Sequence, residues 1–292
     1  MKPLNNYISE SIYGNLGIGT EVIAREFVHD YNDLIHKTSP TTGIKHLRND
    51  IIDCGRGIDI NKDTEALLQN GHLPGFNFRF TYPDHRTYIT IDSDKFTSFE
   101  NFPKSDYMDF DIKDSAKNID FSELSDCHMN LRLTGSSLKD LSNLKKYKID
   151  DLHIVNCPYC KDILRNTKGI TVESNGALVK IISDKISSND ISIFFKRNTV
   201  SGNTYGINLE IDSPDIDSFD FMDDIHCLIN TIWIDNVKDF GPKYDGLFRN
   251  ATHICDRVYV TNNEQFCAEA NAHSKQLFKS TKTKLVFQNR NK

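Results

Sequence analysis

Two cysteines three residues apart, Cys157-Pro158-Tyr159-Cys160, form the sharpest local arrangement with chemical potential in this chain. Thiols at this spacing serve either thiol–disulfide chemistry or metal binding. As half of a zinc site the pair would need Cys127, His128, His153 or Cys255 to complete it. Structural zinc usually draws on two spaced pairs. The other pairs here, Cys127-His128 and His226-Cys227, are adjacent rather than spaced. A second grouping is acidic: Asp212, Asp215, Asp217, Asp220, Asp223 and Asp224. It lacks the Asp-x-Asp-x-Asp-Gly loop with a distal Glu that calcium takes, and reads as a solvated turn between strands. Gly14, Gly17 and Gly19 are spaced unlike a dinucleotide fingerprint, and no strand-like run precedes them. No Ser-His-Asp order, phosphate loop or paired-carboxylate cleft can be located, so no catalytic residue, metal ligand or cofactor is assigned.

The Cys157–Cys160 stretch resembles the active site of glutaredoxins. That resemblance implies a cysteine at a helix N-terminus whose lowered pKa lets it attack disulfides. Such a fold also needs an opposing Val-Pro loop and a paired-glycine turn, and residues 165–230 offer neither. A glutaredoxin-like thiol oxidoreductase is therefore the alternative reading, and a structural free thiol at Cys157 the expected one.

The elements that position these side chains are legible from their period. Leu131 and Leu133 alternate with polar residues as in a half-buried strand. Leu138, Leu141 and Leu144 then suit a turn folding back over it. Taking the first inward residue of each later strand gives Leu131, Leu152, Ile170, Ile191, Leu209, Ile232, Val258 and Leu285, at intervals of 18 to 27 residues. Upstream, Asp109–Ile112 is a weaker strand. Glu21–Lys37 has helical periodicity, Ser39–Gly43 is a break, Ile44–Ile52 is amphipathic, and Thr64–Gln69 is a short helix stopped by Asn70-Gly71. Phe76–Tyr82 and Tyr88–Asp92 read as a hairpin joined by Pro83–Arg86.

Period and strand pattern together resemble leucine-rich repeats of an irregular kind, with Leu-x-Leu-x-x-Asn/Cys matched at Cys157, Asn175 and Asn263. Ser136, Pro214 and Val237 hold that position elsewhere and break the ladder. The resemblance implies an α/β fold: an irregular leucine-rich-repeat-like solenoid over residues 106–292, behind a small N-terminal α+β cap over residues 11–105. In such a stack alternate residues form a concave face. Its expected binding residues are Arg132, His153, Glu173, Phe194, Glu210, Trp233, Asp235 and Tyr259, with the three aromatics exposed for a protein partner.

The chain begins Met1-Lys2-Pro3-Leu4-Asn5-Asn6-Tyr7-Ile8-Ser9-Glu10-Ser11. These residues resemble the capsid-targeting leader of internal proteins of T-even-like tailed phages, and Tyr7–Ile12 is similar to proteins of other large tailed phages, crAss-like ones included. The resemblance implies cleavage by a prohead protease after Glu10, with Ile8 and Glu10 in its triplet and Ser11 as the new first residue. Residues 1–10 would then be a removable leader, the partners would include prohead components, and the protein would sit in the virion interior. An ordinary amphipathic N-terminal helix is the alternative, with a repeat adaptor that stays in the bacterial host cytoplasm.

Composition bounds the rest. In 292 residues the apolar share is 38%, lower than a single compact globule of this length normally buries and adequate for a thin array. A net charge of -6 disfavours general attraction to nucleic acid or anionic lipid. No apolar run approaches the roughly 18 residues of a membrane span, and the first residues lack the apolar core of a secretory signal. Seven cysteines at irregular spacing fit a reducing compartment. The expectation is a non-enzymatic protein-interaction protein.

Overall fold

The computed structural model describes residues 51–75, 77–114, 116–174, 176–202, 206–234, 241–249, 254–260, 264–277 and 284–287. Ile8, Glu10 and Ser11, the helix expected over 21–37, and Asp235 all lie outside them. The chain divides into two units, Met1–Met129 and Asn130–Lys292.

In the first unit β1 (Ile51–Asp53) pairs in parallel with β3 (Asn77–Arg79). Strands β2 (Gly57–Ile60), β4 (Arg86–Ile91) and β5 (Tyr107–Ile112) form a second parallel set in chain order. Period-2 alternation stacks Ile58, Ile89 and Phe110 in one register row and Ile60, Ile91 and Ile112 in the next, all buried. Phe99 fills the space behind them, its ring 5.6 Å from that of Phe110 and 5.1 Å from those of Phe96 and Phe121. The expected hairpin is corrected here. The segment Pro83–Arg86 does not join an antiparallel pair, because β3 and β4 pair with β1 and β2 instead. A parallel partner lets each inward isoleucine meet another across the ladder, and the Pro-Asp sequence serves as the turn into β4.

The division between units falls within β6 (His128–Thr134). In the second unit the strand order is β6, β7 (Lys148–Val155), β9 (Leu178–Ile182), β11 (Ile207–Asp212), β12 (Ile229–Ile234), β13 (Ile254–Val260) and β14 (Lys284–Phe287). Leu152, Val179, Leu209, Ile232, Val258 and Leu285 stand in one register row of parallel pairs, so successive turns are 23 (209 to 232) to 30 (179 to 209) residues long. A shorter ladder branches off: β8 (Thr171–Ser174) pairs with the first half of β7 and with β10 (Thr199–Gly202).

Short helices carry the chain back between strands: α1 (Cys160–Asn166), α2 (Ser188–Arg197), α3 (Gly246–Arg249) and α4 (Glu264–Leu277). A 3₁₀ turn at Asp220–Asp224 does the same, and α1 packs on α2, α2 on this turn, and the turn on α3. Ile163, Leu164, Ile191, Phe194, Phe221, Met222 and Phe248 are buried along that layer. The fold is thus α/β, with a mostly parallel sheet of many strands and few helices, not closed into a barrel. Among the described residues no helix is long and apolar enough to cross a membrane.

Two expected strand starts are corrected. Ile191 lies in α2, not a strand, and Ile170 precedes β8 rather than opening it. For Ile191 the cause is a capping box. The Ser187 hydroxyl accepts the N–H of Asp190, and the Asp190 carboxylate accepts the N–H of Ser187 at 2.9 Å. Helical spacing from that start drives Ile191, Phe194 and Phe195 inward.

Serines occupy the turns that follow the strands. Ser93, Ser183 and Ser213 each come two residues after a buried isoleucine and accept the N–H of Lys95 (3.1 Å), Lys185 (3.5 Å) and Asp215 (3.3 Å). Side-chain acceptors of this kind satisfy backbone donors that leave the ladder.

Candidate functional site

Alternation divides the second unit's strands into a buried face and a polar one. With Ile232, Ile234, Val258 and Val260 buried, Trp233 and Tyr259 fall on the opposite side. Register places His153, Lys180, Glu210, Trp233 and Tyr259 side by side across β7, β9, β11, β12 and β13.

Four members of this row are constrained by a neighbour, Lys180 by Glu210 and Trp233 by Tyr259. Lys180 Nζ lies 3.0 Å from Glu210 Oε1, the two side chains being 26% and 7% exposed. Both charges are partly desolvated, so removing either would leave a costly unpaired ion. The Trp233 and Tyr259 rings stack with centroids 5.7 Å apart and planes 19° from parallel. Offset stacking of this sort contributes about 0.5–1.5 kcal/mol beyond area burial. His153 is half-buried, and among the described residues its sealed Nε2 has no hydrogen-bond partner. Burial pushes its imidazole pKa down, the Arg132 and Lys180 charges add to that, and Asp151 and Glu210 oppose it. The ring is neutral at pH 7.

The flanking rows are tied into the sheet. Asp151 Oδ1 accepts the N–H of Leu178 at 2.7 Å, and Asn208 donates to the Gly176 carbonyl at 2.7 Å while accepting from Thr231 and Asn230. The middle row therefore presents a neutral imidazole, a compensated ion pair and a flat aromatic pair on a fixed backbone. That combination can take a partner by stacking and hydrogen bonding.

Of the residues expected to share this face, the structure brings together His153, Glu210, Trp233 and Tyr259. Arg132 is exposed on β6 and acts on His153 through its charge. Glu173 belongs to the branch ladder, opposite Ser201, and pairs with Lys148 at 3.5 Å. Phe194 is corrected: it is fully buried on α2, where helical spacing turns it inward. The expected exposure of Trp233 and Tyr259 is corrected to half-burial, because their rings cover each other. Sequence reasoning missed Lys180. The alternation Val179-Lys180-Ile181 carried the signal, masked by the strand assigned around Ile191.

The cysteine pair is placed by the turn after β7, where Asn156 takes a left-handed φ of 51°. Cys157 Sγ then donates to the carbonyls of Leu133 and Val155, each at 3.6 Å. Cys160 opens α1, yet burial, with Cys157 beside it, pushes its thiol up to about 12. Both thiols are buried, and neither is in a disulfide. Among the described residues no group of three or more His, Cys, Asp or Glu side chains is placed to hold a metal ion.

No protein-family model, curated protein or solved structure matches this chain.

Proposed function

We propose that this chain is a protein-interaction protein whose second unit is an irregular leucine-rich-repeat-like solenoid, binding a protein partner on its polar strand face. The Trp233–Tyr259 stack beside the Lys180–Glu210 pair carries this reading. Aromatic side chains on a rigid strand face are the residues that dominate protein interfaces. The solenoid reading is supported by a main ladder of parallel strands that follow one another in chain order, with β8 and β10 as a side branch. The starting residues favour a tailed-phage protein packaged in the capsid after cleavage behind Glu10, with the prohead protease as one partner. Thiol–disulfide chemistry is the weaker reading, since it needs an accessible thiolate and burial keeps Cys160 protonated.

A photo-crosslinking residue placed at Tyr259 tests the binding face in infected cells. It is expected to trap one predominant protein, and Trp233→Ala should weaken that complex by about 2 kcal/mol or more. The same substitution should lower stability by about 2 kcal/mol, between the costs of an exposed and a fully buried aromatic. Crosslinks spread without preference, or a complex indifferent to Trp233→Ala, would remove this face as the binding site.

A further inference from the structure

We propose that the first unit carries a second docking surface, built where β4, β5 and β6 begin, for a protein segment that offers a carboxylate beside an apolar side chain. The surface is made of rings and guanidinium groups. Tyr82 is 48% exposed and Tyr107 44%. Tyr82 stacks on His85 with centroids 5.8 Å apart and planes at 23°, and Tyr107 stacks on His128 at 5.4 Å and 26°. Arg56 lies over the Tyr82 ring, its Cζ 5.5 Å from the centroid. Arg86 stands opposite Tyr107 in the ladder and reaches Asp109 at 3.6 Å.

The platform is held from below. The Pro83 carbonyl accepts the N–H of Asp106 at 2.8 Å and the Ser105 hydroxyl at 3.2 Å, and the Asp106 carbonyl accepts the N–H of His128 at 2.8 Å. The turns bearing Tyr82, Tyr107 and His128 are thus bonded to one another, so little ordering entropy remains to be lost when a partner docks. Tyrosine and arginine are also the side chains that most often anchor interfaces.

Charge narrows the occupant. Asp84, Asp106 and Asp109 are interleaved with the cations, so a polyphosphate backbone or an anionic membrane would meet repulsion at each step. A single carboxylate would not. Among the described residues Arg56 has no carboxylate partner, and its stacking on Tyr82 holds the guanidinium fork ready for a bidentate one. The tyrosine faces beside it suit an aliphatic or aromatic neighbour. This surface is built from residues of the first unit alone.

The test selects a display library of short random peptides on the immobilised full-length protein. Enriched peptides are expected to carry Asp or Glu next to an apolar residue. Synthetic copies should bind wild type at least about tenfold more tightly than they bind Arg56→Ala or the Tyr82→Ala/Tyr107→Ala double variant. Both changes are at exposed positions and should leave the melting temperature nearly unchanged. Trp233→Ala should leave this binding intact, which separates it from the partner site proposed above. The inference fails if no peptide is enriched, if enriched peptides ignore these variants or depend on Trp233, or if a fluorescent oligo(dT) binds and is lost in the variants instead.

Discussion

Trp233 and Lys180 show how much of a side chain's role depends on the residue in the next strand. Either alone on an exposed strand would be costly, one as bare aromatic surface and the other as a partly desolvated charge. Paired with Tyr259 and Glu210 they become a stable, flat surface. Among the described residues His153 has no such partner for its Nε2, which makes it the titrating weak point of the row. Its folded pKa lies below the ordinary value, so the unfolded chain takes up a proton first as pH falls. Stability is therefore fully present above the ordinary histidine pKa of about 6.5 and declines below it, until the folded ring also protonates. Urea midpoints should fall between pH 7 and pH 5, and His153→Gln should flatten part of that fall. An unchanged slope in the variant would show that other groups govern it.

At the scale of elements, the capping box of α2 decides how a whole turn of the chain is read. Ser187→Ala should cost about 1 kcal/mol in chemical denaturation, as an N-cap loss does. Asp190 has a second task, since its carboxylate also bonds Arg165 of α1 and links the two helices. Burial raises the Asp190 carboxyl pKa, but the hydrogen bonds from Ser187 and Arg165 outweigh it and the net direction is down. Asp190→Asn should therefore cost more than Ser187→Ala. This element also marks the limit of what the sequence made legible. Leu152, Leu209, Ile232 and Val258 were correctly placed as buried strand residues because a second buried apolar residue follows each two positions on, at Ile154, Ile211, Ile234 and Val260. Ile191 and Ile193 alternate as well, and without the Ser-x-x-Asp cap the run from Ile191 to Phe195 fits either a strand or a helix. Choosing the strand displaced β9 and hid Lys180. The tyrosine and arginine cluster of the first unit was missed for another reason: its members lie far apart in sequence, and only parallel pairing brings them together.

For the molecule as a whole, the leader proposal makes a mass prediction. Protein from purified virions should begin at Ser11, and Glu10→Ala should leave it starting at Met1. Intact wild-type chains in mature particles would discard the cleavage, and absence of the chain from those particles would discard packaging; the repeat reading would stand in either case.

The branch in the second unit has a mechanical consequence. Strands that pair in chain order come away one turn at a time when the unit is pulled from its C-terminal end. Each turn of 23 to 30 residues would release at most about 80 to 100 Å of chain. At β7 the order is different, because that one strand holds β8 along its first half and β9 along its second. Those two ladders must rupture together or in a forced sequence. In an optical trap the traces should therefore show even, low-force steps that stop at a stronger event as the tension reaches β7, a built-in arrest against further fraying.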